Sequence, residues 1–212
     1  MYFPPDFDLI RAVELSRLVT QAYDQLESFQ KGIPWLPKGG YALVKELVQE
    51  STAGAPGKIR TQYDTELRLL KKARTTKDNI FPIGFVAQKQ RSVFVIFRGT
   101  VTIAEWVRNL NVRLSNYSTA DYGKVHDGFL ETYSAIHNKL LKALVELDLR
   151  NKLFIAGHSL GAALATLAMP DIVANTGFRA PTIYTYGSPR VGDNQFCKTF
   201  DRKFASRSFR IV

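Results

Sequence analysis

The sequence predicts an α/β fold with a mostly parallel central β-sheet flanked by helices, and three observations carry that expectation. Short apolar runs alternate with stretches of helical spacing, an order that builds parallel sheets through helical crossovers. The run Val93-Phe94-Val95-Ile96-Phe97 is unbroken, as in a strand buried on both faces. A chain of 212 residues with 45% apolar and 12% aromatic content can bury one sizeable core. Residues 1–212 are therefore expected to form a single domain, with residues 1–57 as an N-terminal helix and loop region.

Residues 8–30 set Leu9, Val13, Leu15, Leu18, Val19, Ala22, Tyr23 and Leu26 at helical spacing. Lys31–Lys58, rich in glycine and proline, is expected to be loop around one short apolar element. Strands are expected at Phe81–Gln88 and Ser92–Phe97, a helix over 128–147 and a strand at Lys152–Ala156. A helix from about Ser159, a strand at Thr182–Tyr186, a helix near Asn194–Phe200 and a strand from Ser208 complete the order. No internal repeat and no low-complexity segment interrupts it.

Composition excludes several classes. No apolar run reaches the roughly 18 residues that a membrane-spanning helix requires. The opening residues carry no basic n-region and no apolar h-region, so a cytoplasmic or peripheral-membrane protein is expected. A single cysteine, Cys197, rules out an internal disulfide framework and a multi-cysteine zinc site. The net charge of +10 is concentrated in residues 58–113, with twelve Lys/Arg against four Asp/Glu, and in residues 198–212. Lys71-Lys72-Ala73-Arg74-Thr75-Thr76-Lys77 is the densest stretch. Nucleic acid, an anionic lipid surface and a merely solvated face all fit that charge. Nucleic acid is the weakest of these, because no recognition motif or aromatic-basic interleaving accompanies it.

The informative motif is Gly157-His158-Ser159-Leu160-Gly161. The apolar strand Leu153-Phe154-Ile155-Ala156 runs into it and the small-residue helix Ala162-Ala163-Leu164-Ala165 follows. A serine on such a sharp strand-to-helix turn lifts its hydroxyl above the sheet edge, and the tightness of the turn requires glycine on either side. The helix N-terminus beneath it offers free amide hydrogens and a positive dipole end to a developing oxyanion. Glycines that only close-pack a nucleotide-binding turn would come as Gly-x-Gly-x-x-Gly or with a Walker lysine, and neither is present.

On these residues the chain resembles the class 3 (fungal-type) lipases, which are α/β-hydrolases. Four blocks match in order: Val95-Ile96-Phe97-Arg98-Gly99-Thr100 with Trp106 after it, Val125-His126-Asp127-Gly128-Phe129, the Ser159 motif, and Tyr186-Gly187-Ser188-Pro189-Arg190-Val191-Gly192. The resemblance implies ester hydrolysis of lipids through an acyl-enzyme on Ser159. It implies an oxyanion hole from the backbone N–H and hydroxyl of Thr100 and the N–H of Leu160. It also sets Val101–Val112 in the place of the family's amphipathic lid. There Ile103, Trp106, Val107 and Leu110 form one apolar face at helical spacing, unless the segment is an ordinary surface helix. Two departures stand out: Ala162 replaces a common glycine, and Pro170 is expected to kink the post-nucleophile helix or stop it a turn early.

A serine needs an imidazole to take its proton, and the imidazole needs a carboxylate to fix its tautomer. In the family these follow the serine as acid, then histidine. The three histidines here, His126, His137 and His158, all precede Ser159. His158 is expected as a buried hydrogen-bonding residue turned away from the serine, His126 as structural, and His137 as a surface residue. Asp193 and Asp201 follow Ser159, but the family's acid lies a few residues beyond Phe209–Val212. The C-terminal part of the domain is thus expected to be missing from this chain, which is either a fragment of a working lipase or a catalytically dead relative.

The expected function is a carboxylic-ester hydrolase acting on acyl glycerides, with no metal and no organic cofactor. Phospholipase or galactolipase activity is the alternative among enzymes, and the basic stretches suit it. A non-catalytic hydrolase-fold module binding an acyl ligand or a protein is the alternative of another class, supported only by the absent base. The expected partners are a lipid or ester substrate and, peripherally, an anionic lipid surface.

Overall fold

The computed structural model describes residues 4–50, 80–100, 113–119 and 121–212. Helix α1 (Leu9–Gln30) is capped by Asp8, whose carboxylate accepts from the Arg11 N–H at 2.9 Å. Then come β1 (Ala42–Glu50), β2 (Ile80–Lys89), β3 (Ser92–Phe97) and the short ribbon β4 (Leu114–Asn116) and β5 (Lys124–His126). Helices α2 (Asp127–Ser134) and α3 (His137–Val145) lead into β6 (Lys152–His158) and α4 (Leu160–Asn175). The chain ends through β7 (Thr182–Tyr186), α5 (Asn194–Phe204), a 3-10 turn and β8 (Ser208–Ile211).

The main sheet has six strands in the order β1-β2-β3-β6-β7-β8. Strands β3, β6, β7 and β8 run parallel, while β1 and β2 extend the sheet antiparallel at one edge. Alternation along the central strands divides the core. Val93, Val95, Phe97, Leu153 and Ile155 face a large cluster with Phe129, Leu140, Leu164 and Phe196. Phe94, Ile96, Phe154 and Ala156 face Leu15, Leu18 and Ala22 of α1. Both faces of β3 and β6 are therefore buried, as their unbroken apolar runs require.

Helix α1 lies along one face of the sheet and closes over strands far away in sequence. Ring centroids of Phe7 and Phe209 are 5.5 Å apart, and the Tyr186 hydroxyl donates to the Ala12 carbonyl. The buried stripe runs through Ala12, Leu15, Leu18, Val19, Ala22 and Leu26. Leu9 and Val13, expected on that stripe, are exposed instead, because the 100° step per residue turns them off it.

Three more expectations are corrected. The Lys31–Lys58 loop contains a nine-residue edge strand, β1, whose exposed Lys45 and Glu46 interrupt its apolar pattern. The helix expected over 128–147 is two helices broken at Ala135–Ile136, where Ile136 takes φ −120° and ψ −13°. The break lets Phe129 and Tyr133 on one side, and Leu140 and Leu144 on the other, both reach the core. Helix α4 does not stop early but runs through Pro170 to Asn175. The proline removes a donor from the ladder, and nearby the Leu167 carbonyl accepts from the buried Tyr117 hydroxyl at 2.6 Å.

Candidate active site

The carboxyl ends of β3, β6 and β7 converge on Ser159. Strand β6 pairs with β3 as far as Gly157 and with β7 as far as His158, and the Ser159 N–H donates to the Tyr186 carbonyl at 2.9 Å. Ser159 then takes φ +53° and ψ −119°, a region that side chains other than glycine rarely occupy, and α4 begins at the next residue. The flanking glycines are sterically required. A Cβ on Gly157 would lie 2.1 Å from the Gly161 carbonyl oxygen, and one on Gly161 would lie 2.5 Å from the carbonyl oxygens of Phe97 and Arg98. Ala162 is fully buried and its N–H donates to the Ser159 carbonyl at 3.0 Å, so the departure there is accommodated.

The segment Arg98-Gly99-Thr100 passes directly against this turn. A Cβ on Gly99 would stand 2.7 Å from the His158 carbonyl oxygen and 3.2 Å from Ser159 Cβ. Thr100 is 2% exposed, and its hydroxyl is buried without a hydrogen-bond partner among the described residues. An unpaired buried hydroxyl costs about 1–3 kcal/mol. Leu160 is buried at the first position of α4, where an amide has no intrahelical acceptor.

Two residues with no role assigned from sequence shape this segment. Arg98 is fully buried; its Nε donates to the Pro82 carbonyl at 2.9 Å and its Nη1 to the Gly99 carbonyl at 2.7 Å. Tyr23 of α1 accepts from the Gly99 N–H at 3.0 Å and lies 2.8 Å from His158 Nδ1. Which of the two groups donates in that contact depends on the imidazole tautomer. Burial holds the His158 imidazole below its ordinary value, which favours the neutral state. A lone arginine ending an apolar strand was the signal for Arg98. Tyr23 carried none beyond its place in an apolar stripe.

None of the three histidines is placed as partner to Ser159. His158 falls in register with Phe154 and Ala156 and faces α1, turned from the serine as expected. His126 caps α2, its Nδ1 accepting from the Gly128 N–H at 3.1 Å, and burial lowers its pKa. His137 is less a surface residue than expected: its Nδ1 lies 3.6 Å from buried Asp171, which also accepts from the Tyr133 hydroxyl at 2.5 Å. Asp193 caps α5 and accepts from the Phe196 and Lys124 N–H groups, and Asp201 is exposed on α5. The His126 and Ser188 blocks are locked together through a Val125–Gly192 bridge and the His126 N–H donating to the Val191 carbonyl. Ile103, Trp106, Val107 and Leu110, like the Lys71–Lys77 stretch, lie outside the described residues. Among the described residues no cluster of metal-binding side chains occurs.

A family model for class 3 lipases matches residues 94–212. The chain belongs to the class 3 lipase family. It is 33% identical over 213 aligned residues to a chloroplastic phospholipase A(1) of Arabidopsis thaliana, covering 84% of this chain and 44% of that one. It is 32% identical over 113 residues to a lipase of Rhizomucor miehei, covering 50% of this chain and 31% of that one. This class 3 lipase chain thus spans less than half the length of either relative. The solved Rhizomucor miehei triacylglyceride lipase superposes with a TM-score of 0.67 at 21% identity, over 93% of this chain and 69% of that one. Lipase II from Rhizopus niveus gives 0.68 at 21%, over 96% and 72%. These likenesses establish the α/β-hydrolase fold.

Proposed function

We propose that the protein is a serine carboxylic-ester hydrolase that cleaves acyl glycerides through an acyl-enzyme on Ser159. The single observation that carries this reading is the strained turn at Ser159, φ +53°, with Gly99 packed against it and, one residue on, the buried Thr100 hydroxyl, which has no partner among the described residues. Ser159 Oγ attacks the acyl carbonyl and loses its proton to a base; the carbonyl oxygen becomes an oxyanion held by the N–H groups of Thr100 and Leu160 and by the Thr100 hydroxyl. Collapse breaks the ester C–O bond, the alcohol leaves with the proton, and water repeats the sequence on the acyl-serine. The base is none of His126, His137 and His158, each of which is engaged elsewhere. The family order puts it after the serine.

A fluorophosphonate probe is expected to label the full-length protein once per chain. Ser159→Ala is expected to abolish both labelling and ester hydrolysis. Labelling that survives the substitution ends the assignment.

Phospholipid hydrolysis is the second reading, favoured by the 33% identity to a phospholipase A(1). Comparing hydrolysis of a triacylglycerol with that of a diacyl phospholipid separates the two. Among the described residues no helix is long and apolar enough to cross a membrane. Contact with lipid is therefore assigned to the protein's surface, with Ile103, Trp106, Val107 and Leu110 as an apolar lid face.

A further inference from the structure

We infer that the loop Lys31–Lys38 is a fixed anchor by which the protein docks on an anionic lipid surface, an assignment that rests on the lipid-hydrolase reading above. Its position follows from α1. Arg11 stacks on Phe154 at 4.1 Å, near the start of β6, whereas Tyr23 contacts Gly99 and His158 at the carboxyl ends of β3 and β6. The helix therefore rises in the strand direction and continues seven residues past Tyr23, about 10 Å at 1.5 Å per residue. The loop that follows stands at the same end of the sheet as Ser159.

That loop is held firmly and yet presents aliphatic side chains to water. The Gly32 N–H donates to the Phe29 carbonyl and the Ile33 N–H to the Ser28 carbonyl, a paired helix-end motif with Gly32 at φ +65°. In that motif the second residue beyond the cap ordinarily packs back on the last turn. Ile33 instead remains 56% exposed, and Leu36 is 69% exposed. Packing is taken over by Trp35, whose ring lies 5.0 Å from Phe85, and the return is fixed by the Lys38 N–H donating to Gln21 Oε1 at 2.7 Å. Ile33 and Leu36 each precede a proline, Pro34 and Pro37, which confines them to extended backbone. Two aliphatic side chains are thus pre-positioned outward, with little further conformational freedom to lose on insertion.

Charge complementarity selects the partner. Lys31 and Lys38 bracket the aliphatic pair, and residues 31–41 contain no acid. Glu27, paired with Lys31, and Asp24 are the acids on the adjoining turns of α1. Aliphatic tips flanked by two lysines fit acyl chains below anionic headgroups, with the lysine stems lying along the boundary.

The test uses the full-length protein and vesicles of non-hydrolysable diether phosphatidylcholine, with and without a quarter of diether phosphatidylglycerol. Ile33→Ser with Leu36→Ser is expected to lower adsorption to the anionic vesicles about tenfold or more, with hydrolysis of a short soluble ester unchanged. Lys31→Glu with Lys38→Glu is expected to remove the preference for anionic over neutral vesicles and most of its salt dependence. Leu36→Trp is expected to raise adsorption, a gain that does not depend on the double variant folding. Adsorption that none of these changes alters overturns the anchor. So does loss of self-association in the serine variant with adsorption intact, which points to a second copy of this chain. Soluble-ester hydrolysis that survives Ser159→Ala defeats the catalytic reading alone and leaves the adsorption result standing.

Discussion

Ser159 occupies a backbone region that costs a non-glycine residue about 1–3 kcal/mol, and the surrounding packing must hold it there. Gly157, Gly161 and Gly99 give the room, since a Cβ on any of them meets backbone or Tyr23 within 2.5 Å. The hydroxyl of Thr100, beside this turn, has no hydrogen-bond partner among the described residues. If it serves the oxyanion together with its own amide, Thr100→Val lowers kcat by roughly a hundredfold and leaves KM nearly unchanged. Thr100→Ser, which keeps the hydroxyl, has a mild effect. Steady-state kinetics on a soluble ester decides; a larger loss in the serine variant than in the valine variant contradicts the role. At this scale the sharp turn at Ser159 and its glycines were legible in the sequence, because the motif is itself a steric requirement. The Tyr23 hydroxyl was invisible, because its partners Gly99 and His158 lie 76 and 135 residues away.

Helix α1 and strand β6 are coupled through one titratable pair. The folded chain holds the His158 imidazole below its ordinary value of 6.5 by burial, so an unfolded chain takes up the proton first as the pH falls. In that window the unfolded state binds more protons, and acid therefore favours unfolding. The stability is present above the ordinary imidazole value and declines as the pH drops through it. The melting temperature is expected to fall between about pH 7.5 and 5, with a shallower fall in His158→Asn. Equal slopes in the two proteins refute the coupling. The strands β3 and β6 were legible as elements because burial on both faces leaves an unbroken apolar run. Strand β1 was legible only as one short apolar element, since Lys45 and Glu46 break its pattern and glycines precede it. Pro170 misled for a related reason: a local helix-breaking preference of about 3 kcal/mol is overridden where the helix is buried along most of its length.

Residues 1–212 together carry a net charge of +10, and a surface with that balance is drawn to anionic interfaces at low salt. If Ile103, Trp106, Val107 and Leu110 form a lid face, opening it exposes apolar area at about 25 cal/mol per Å², a cost that a lipid surface removes. Activity is then higher above the substrate's aggregation limit, and Trp106→Ser reduces that rise more than it reduces soluble-ester hydrolysis. Equal activity on monomeric and aggregated substrate, unaltered by the substitution, makes the segment scaffold and not gate. The closure of α1 over β7 and β8 has a further effect, on the time course of biosynthesis. Ala12 meets Tyr186 across 174 residues, and the Asp8 N–H meets the Tyr184 hydroxyl across 176. At a ribosomal pace of about 5–20 residues per second, the first turns of α1 wait roughly 9–35 s for those partners to be made. Through that interval part of an apolar stripe stays uncovered on the nascent chain, so a chaperone that masks amphipathic helices would find its target in α1.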